Sequence, residues 1–438
     1  APEPIVITDF NPNEGDTIVL NSLLENLAYY DGGNPFTLGI ITLSQVGGNV
    51  LISIKEPGPE DHATTPFAII ENVSITSLGS TSFSPSFSID GAPDLGGTIN
   101  GTENDDSLGD TPGNDTINGY SGNDTILSSY GNDTVNGGSG GDVISDHYGD
   151  NNLHGGEGDD TITSLSFAGR STLDGGLGND KIFGRGADID LLGGDGNDQI
   201  VAEAVFTRPD GVRDVVRNGI VNIDAGTGDD TVVATHFETT QIYGGAGSDN
   251  ISATTHASAL IDGQDGNDTI TEVLEGSRWS LLYYCYPDPI SFEPDYATLR
   301  GGEGDDTINI TVNSFISYGP GYSSANGKQY VQAFGDTGND LILLNDRAAG
   351  RDLNSTSNTG IFTASLSGGD GDDTLEASGV LTLSYAGGSG ADRFVLTYAQ
   401  YQTLKAGSRQ YGFSPGVSET VAPEPIVITD FNPNEGDT

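Results

Sequence analysis

The chain has one cysteine, Cys285, and no methionine. A single thiol excludes an internal disulfide framework, so a version of this protein working in an oxidising compartment takes its cross-links from elsewhere, and metal can supply them. Basic residues are scarce too: 15 Lys and Arg face 64 Asp and Glu, a formal charge of −49. That field repels nucleic acid and anionic membrane and makes cations the natural partners. No apolar run is long enough to span a bilayer, and no positively charged apolar leader stands at Ala1. With methionine absent as well, the chain reads as a piece of a longer or processed product.

What is abundant is patterned. Glycine supplies 65 residues, yet 34% of the chain is hydrophobic, and Val, Ile, Leu, Phe and Tyr recur regularly, which argues against a disordered acidic tail. From Gly101 to Thr163 the chain runs as consecutive nine-residue units in one register, among them GYSGNDTIL (119–127), GGSGGDVIS (137–145) and GGEGDDTIT (155–163). Further copies begin at 175, 193, 225, 244, 263, 301, 335, 368 and 387, most of them separated by inserted residues.

The chemistry of the unit follows from its residues. Paired glycines permit a tight turn whose carbonyls converge, and an aspartate at the sixth position adds a hard anionic oxygen, the donor set that calcium prefers. The candidate ligands are Asp106, Asp115, Asp124, Asp133, Asp142, Asp160, Asp180, Asp198, Asp230, Asp249, Asp268, Asp306, Asp340, Asp373 and Asp392. At the eighth position an apolar residue such as Ile117, Ile126, Val135, Ile144 or Ile162 marks a very short strand with one inward side chain. An isolated aspartate of this kind is as readily a solvated turn residue; a register-matched row is not.

The pattern G-G-x-G-x-D-x-U-x resembles the calcium-binding nonapeptide of RTX (repeats-in-toxin) proteins. The resemblance implies an all-β fold, a right-handed parallel β-roll or β-solenoid in which two units make one eighteen-residue turn. On that reading residues 98–397 form the roll, with insertions at 202–222 and 272–300. Units starting at 101, 119, 137 and 155 lie on one side and those at 110, 128 and 146 on the other. The second side loses its metal loops early, since DHYGDNNLH (146–154) puts Asn151 and GRGADIDLL (184–192) puts Ile189 where an acid is needed. On the order of a dozen calcium ions, each shared between successive loops, are expected. Without them, carboxylates about 5 Å apart repel by roughly 0.8 kcal/mol per pair even at water's dielectric, so folding is expected to require calcium.

The flanks carry a second signal. Residues 1–17, APEPIVITDFNPNEGDT, recur unchanged as residues 422–438, which fits a tandem array with a period of 421 residues. IVITDFNPNEGDTIVLNSLL, NVLISI (49–54) and FAIIENVSITSL (67–78) resemble the capping β module that closes RTX rolls in type I-secreted proteins. Residues 1–79 are then a cap for a preceding roll, 80–97 a linker, 398–421 a connector and 422–438 the first strand region of the next cap. A cap covers a strand edge that otherwise invites uncontrolled pairing.

Two excursions are open to more than one reading. RWSLLYYCYPDPISFEPDY (278–296), with the only Trp, has the composition of an interaction loop, although Trp279, Leu281, Leu282, Tyr283 and Tyr284 can equally pack on the metal-free face. Arg208, Arg213 and Arg217 can dock on an acidic neighbour or simply neutralise Asp210 and Asp214. No HExxH motif accompanies the roll, the five histidines are scattered, and Gly137–Gly141 holds only part of a G-x-S-x-G elbow. The expectation is therefore a non-enzymatic, secreted, extracellular or cell-surface bacterial protein with multiple Ca2+ ions. Its partner is itself, as a head-to-tail polymer or tandem neighbour, with no nucleic acid and no membrane insertion. An adhesin spacer, with an extracellular surface or glycan as ligand, and a polysaccharide-modifying solenoid enzyme are the alternatives.

Overall fold

The computed structural model describes residues 4–24, 34–36, 38–55, 65–78, 82–84, 96–165, 170–207, 213–215, 219–275, 295–312, 328–346, 361–378, 382–397, 426–429 and 431–438. Trp279 and most of the aromatic excursion, Arg208, Arg217 and the 398–421 connector lie outside these residues. The chain divides into two compact units, the first chiefly residues 1–175 and the second chiefly residues beyond it.

In the first unit, alternating apolar residues build a small four-stranded sheet. Ile5–Ile7 runs parallel to Thr65–Ile70, which is antiparallel to Asn49–Ile54, itself antiparallel to Ile41–Val46 across a Gly47-Gly48 turn. Leu20, Leu24, Ile41, Val50, Ile52, Ile70 and Phe83 fill its core, and Tyr130 and Tyr148 from the coils join the same cluster. Those two tyrosines stack with ring centroids 5.2 Å apart.

The coils of this unit repeat every eighteen residues. Thr116–Ser121 pairs in parallel with Thr134–Ser139, and that strand with Asn152–Glu157; on the opposite side Ser107–Gly109, Thr125–Ser128, Val143–Asp146 and Thr161–Ser164 follow one another. Equivalent residues meet, Ile117 against Val135 and Ile126 against Ile144, because each coil returns the chain to the same register and keeps each side chain on its own face. The eighth-position residues Ile117, Ile126, Val135, Ile144 and Ile162 are buried as expected.

The second unit winds the same way with longer, uneven coils. Insertions are absorbed without disturbing register: Thr307 meets Leu341, and Leu341 meets Thr374. Where the second side has lost its turn, the chain runs straight through as Thr231–Ala246 and Asn250–Asp265, paired with a register shift near Phe237 and with His236 at φ 67°. Val427–Ile428, from the duplicated segment, adds to the edge of Thr382–Ser389. Both units contain parallel β-roll coils, and the only α-helix among the described residues is Asn21–Leu24. No helix among them is long and apolar enough to cross a membrane.

Candidate functional site

Each nonapeptide turn is built by glycines doing two separate jobs. The second and fourth residues adopt positive φ, 116° at Gly138 and 130° at Gly140, a conformation that side chains disfavour. The first glycine instead leaves room: a Cβ on Gly137 would overlap Oδ2 of Asp142 and the carbonyl oxygen of Gly155 in the next coil. The same pair of oxygens crowds Gly263 (Asp268 and Gly301) and Gly335 (Asp340 and Gly368). Two oxygen acceptors from adjacent coils thus converge on the space that the first glycine leaves.

The sixth-position aspartates form a ladder. In the first unit the backbone N–H of Asp106 donates to Oδ1 of Asp124 (2.8 Å), Asp124 to Asp142 (2.7 Å) and Asp142 to Asp160 (2.7 Å). In the second, Asp180 donates to Asp198, and the chain of donors continues through Asp230, Asp249, Asp268, Asp306, Asp340 and Asp373 to Asp392 at 2.7–3.1 Å. One carboxylate oxygen is therefore satisfied by the preceding coil. The other, Oδ2, is buried without a hydrogen-bond donor in Asp124, Asp142, Asp198, Asp230, Asp249, Asp268, Asp306, Asp340 and Asp373.

Leaving a buried charged acceptor without a partner costs on the order of 1–3 kcal/mol or more per group, so a row of them calls for a cation. The electrostatics agree. Burial pushes Asp230, Asp306 and Asp373 up to about 7, and Asp268 and Asp340 up to about 6, with the N–H of the preceding aspartate pulling partly back. A divalent cation among Oδ2 and the facing carbonyls reverses that penalty, and an all-oxygen, partly anionic donor set suits Ca2+. The residues present therefore fit calcium.

Asp106, Asp115 and Asp133 stand in different surroundings. Oδ2 of Asp106 accepts from the N–H and Oγ1 of Thr102, Asp115 accepts from the N–H and Oγ1 of Thr111 and from the N–H of Gly97, and Oδ2 of Asp133 accepts from Oγ of Ser128. Hydroxyls and N–H groups of the protein already supply what a metal would at the other positions. Burial raises Asp133 to about 6 nonetheless. Asn151 accepts the N–H of Asp133 and donates its own amide to the Tyr148 carbonyl, while Ile189 is buried as an apolar residue.

Two features escaped the sequence reading. A second ladder runs the other way at the fifth position: the N–H of Asn123 donates to Oδ1 of Asp105, that of Gly141 to Asn123, that of Asp305 to Asn267 and that of Asp372 to Asn339, all at 2.8–2.9 Å. The recurrence of Asn or Asp before the sixth-position Asp, as in GNDTI and GDDTI, was the signal. In addition, Asp392 donates its N–H to Oδ1 of Asp437 (3.1 Å), and the Thr438 N–H donates to the Asp392 carbonyl (2.7 Å). The ladder thus reaches the duplicated segment, in which N-P-N-E-G-D-T (432–438) echoes the G-N-D-T of the units.

Comparison with known proteins agrees with this geometry. The RTX calcium-binding nonapeptide repeat (4 copies) matches residues 100–135, 110–144, 127–162, 167–200, 298–309 and 365–379. No curated protein matches the chain. The matched segments and the donor-poor carboxylate row lead to one conclusion: the chain carries RTX calcium-binding nonapeptide repeats, wound as a parallel β-roll that binds Ca2+.

Proposed function

We propose that this is a secreted structural protein that folds on calcium outside the cell and assembles head-to-tail into an extracellular fibre or surface layer. The observation that carries the calcium half of this reading is the set of buried Oδ2 atoms that lack a donor, those of Asp124 and Asp142 in the first unit and of Asp198, Asp230, Asp249, Asp268, Asp306, Asp340 and Asp373 in the second. We assign the ions to the loops of Asp124, Asp142, Asp160, Asp180, Asp198, Asp230, Asp249, Asp268, Asp306, Asp340, Asp373 and Asp392, all of them buried. Low cytosolic calcium leaves such a chain unfolded for export, and millimolar calcium outside drives it to fold.

The assembly half is supported by the identity of residues 1–17 and 422–438 and by the seat the second copy takes on the last coil. A head-to-tail contact of this kind makes an open filament. The sixth-position aspartates are committed to the ladder, and RTX repeats generally serve structure; the reading is non-enzymatic. Covalently continuous copies would make the same architecture an adhesin spacer. Purified chain, titrated with calcium and imaged by electron microscopy, is expected to form regular polymers that dissolve on chelation. A persistent monomer that binds a surface or glycan contradicts the fibre and favours the spacer.

A further inference from the structure

Resting on the head-to-tail reading, we infer that the N-terminal strand and turn of one copy, residues 5–17, clasp the last coil of the roll in a second copy, so that one small sheet is shared by two rolls.

The segment exists twice, in two situations. At the C-terminal end it is seated: the Thr429 N–H donates to the Tyr385 carbonyl (3.0 Å), Oδ1 of Asp437 takes the N–H of Asp392, and Phe431 lies 6.1 Å from Phe394 between ring centroids. At the N-terminal end the same residues belong to the small sheet, with Ile5–Ile7 as its edge strand.

Two side-chain hydrogen bonds of the turn recur in both. The Asn11 N–H donates to Oδ2 of Asp16 (2.8 Å) as the Asn432 N–H does to Asp437 (2.6 Å); the Asn13 N–H donates to Oδ1 of Asn11 as the Asn434 N–H does to Asn432, both at 3.2 Å. The N-terminal copy therefore already makes the side-chain bonds of the docked turn, which lowers the ordering that docking requires.

Its binding groups are also the ones left over. Ile7 gives its carbonyl to the Glu71 N–H inside the small sheet (2.9 Å). The N–H of Thr8 belongs to the same trans peptide and points the opposite way, and its counterpart Thr429 is the one that reaches Tyr385. A single peptide group can bond both sheets at once. Ile5 is 57% exposed on this edge strand, whereas its counterpart Ile426 is partly buried in the seat. A Cβ on Gly15 meets nothing within 4 Å, whereas one on Gly436 would lie 2.9 Å from the Ala391 Cβ. Asp16 is exposed where Asp437 is buried, with Oδ2 committed to the turn in both copies. Phe431, half exposed in its seat, bares surface that Phe10 buries in the core of the small sheet.

The test uses the chain ending at residue 421, which opens the seat, beside the full chain, in which residues 426–438 must leave first. In saturating calcium the shortened chain is expected to polymerise at a concentration at least about tenfold lower than the full chain, read by sedimentation. Excess synthetic APEPIVITDFNPNEGDT should block growth, and Asp16→Ala should weaken assembly by about tenfold or more, with the calcium-induced strand signal unchanged. Polymers indifferent to both the peptide and Asp16→Ala overturn the inference while leaving head-to-tail assembly through another face. No polymers from the shortened chain overturn the head-to-tail reading itself.

Discussion

Asp268 donates its backbone N–H to Oδ1 of Asp306 at 2.7 Å across 38 residues of sequence. The coil-to-coil contact is as short here as between Asp124 and Asp142, only 18 residues apart, so the excursion between the two aspartates leaves the loop geometry untouched. The ladder behaves as the fixed spine of the roll and the inserted residues as passengers.

Two substitutions at this rung separate charge from hydrogen bonding. Asp268→Ala removes both the metal oxygen and the acceptor for the Asp249 N–H, and is expected to lower calcium stoichiometry and fray the adjacent turns. Asp268→Asn keeps an acceptor but no charge; it should bind less calcium while the metal-free chain gains on the order of 1–3 kcal/mol, because a buried carboxylate oxygen without a donor has gone. Asn151→Ala should leave the metal count unchanged. Metal analysis of the three variants checks this, and an unaltered count in Asp268→Ala speaks against the assignment.

Space rather than backbone strain governs the first glycine of each unit. Gly263→Ala would drive its methyl group into Oδ2 of Asp268 and the Gly301 carbonyl, and should cost about 1–3 kcal/mol together with weaker calcium binding. Gly48→Ala, in the hairpin of the small sheet, meets nothing within 4 Å and should change calcium affinity not at all. Calcium titration of both proteins makes the comparison.

Glu272 is wholly buried on the inward face of Thr269–Leu274, and burial raises it from 4.5 to about 8, with the polar groups of nearby Thr255 pulling partly back. Its folded pKa lies above its unfolded one, so its contribution is lost as pH climbs from about 4.5 through about 8. Glu272→Gln should therefore flatten that part of the pH profile and stabilise the protein at pH above 8 by on the order of a few kcal/mol. Denaturation of the two proteins in saturating calcium at acidic and alkaline pH measures the difference; parallel profiles would refute it.

Much of this was legible in the sequence because calcium coils are periodic in sequence as well as in space. An eighteen-residue spacing put Ile117 over Val135 and Ile126 over Ile144, and the survival of Asp230, Asp268 and Asp306 after insertions marked the side that keeps its loops. Local hydroxyls hid the rest. Nothing in the spacing distinguishes Asp115 from Asp124; the difference is Thr111, whose N–H and hydroxyl donate to Asp115 from four residues away, where Asp124 has Tyr120. Asp437 escaped notice because its turn replaces the glycines with Asn, Pro and Glu, and Glu272 because a lone acid at an inward strand position looks like any surface acid until the neighbouring coils are in place. The union of Tyr130 and Tyr148 with the small sheet is a tertiary contact between segments more than a hundred residues from Leu20 and Leu24, with no local pattern to announce it.

Removal of metal reaches the center of the account. Circular dichroism of the chain before and after exhaustive EDTA treatment should show loss of the β signal, with cooperative recovery as Ca2+ is returned. Retention of the full strand content in a chain verified to be metal-free would contradict it, since hydrogen bonds and hydrophobic packing would then be holding coil to coil without metal.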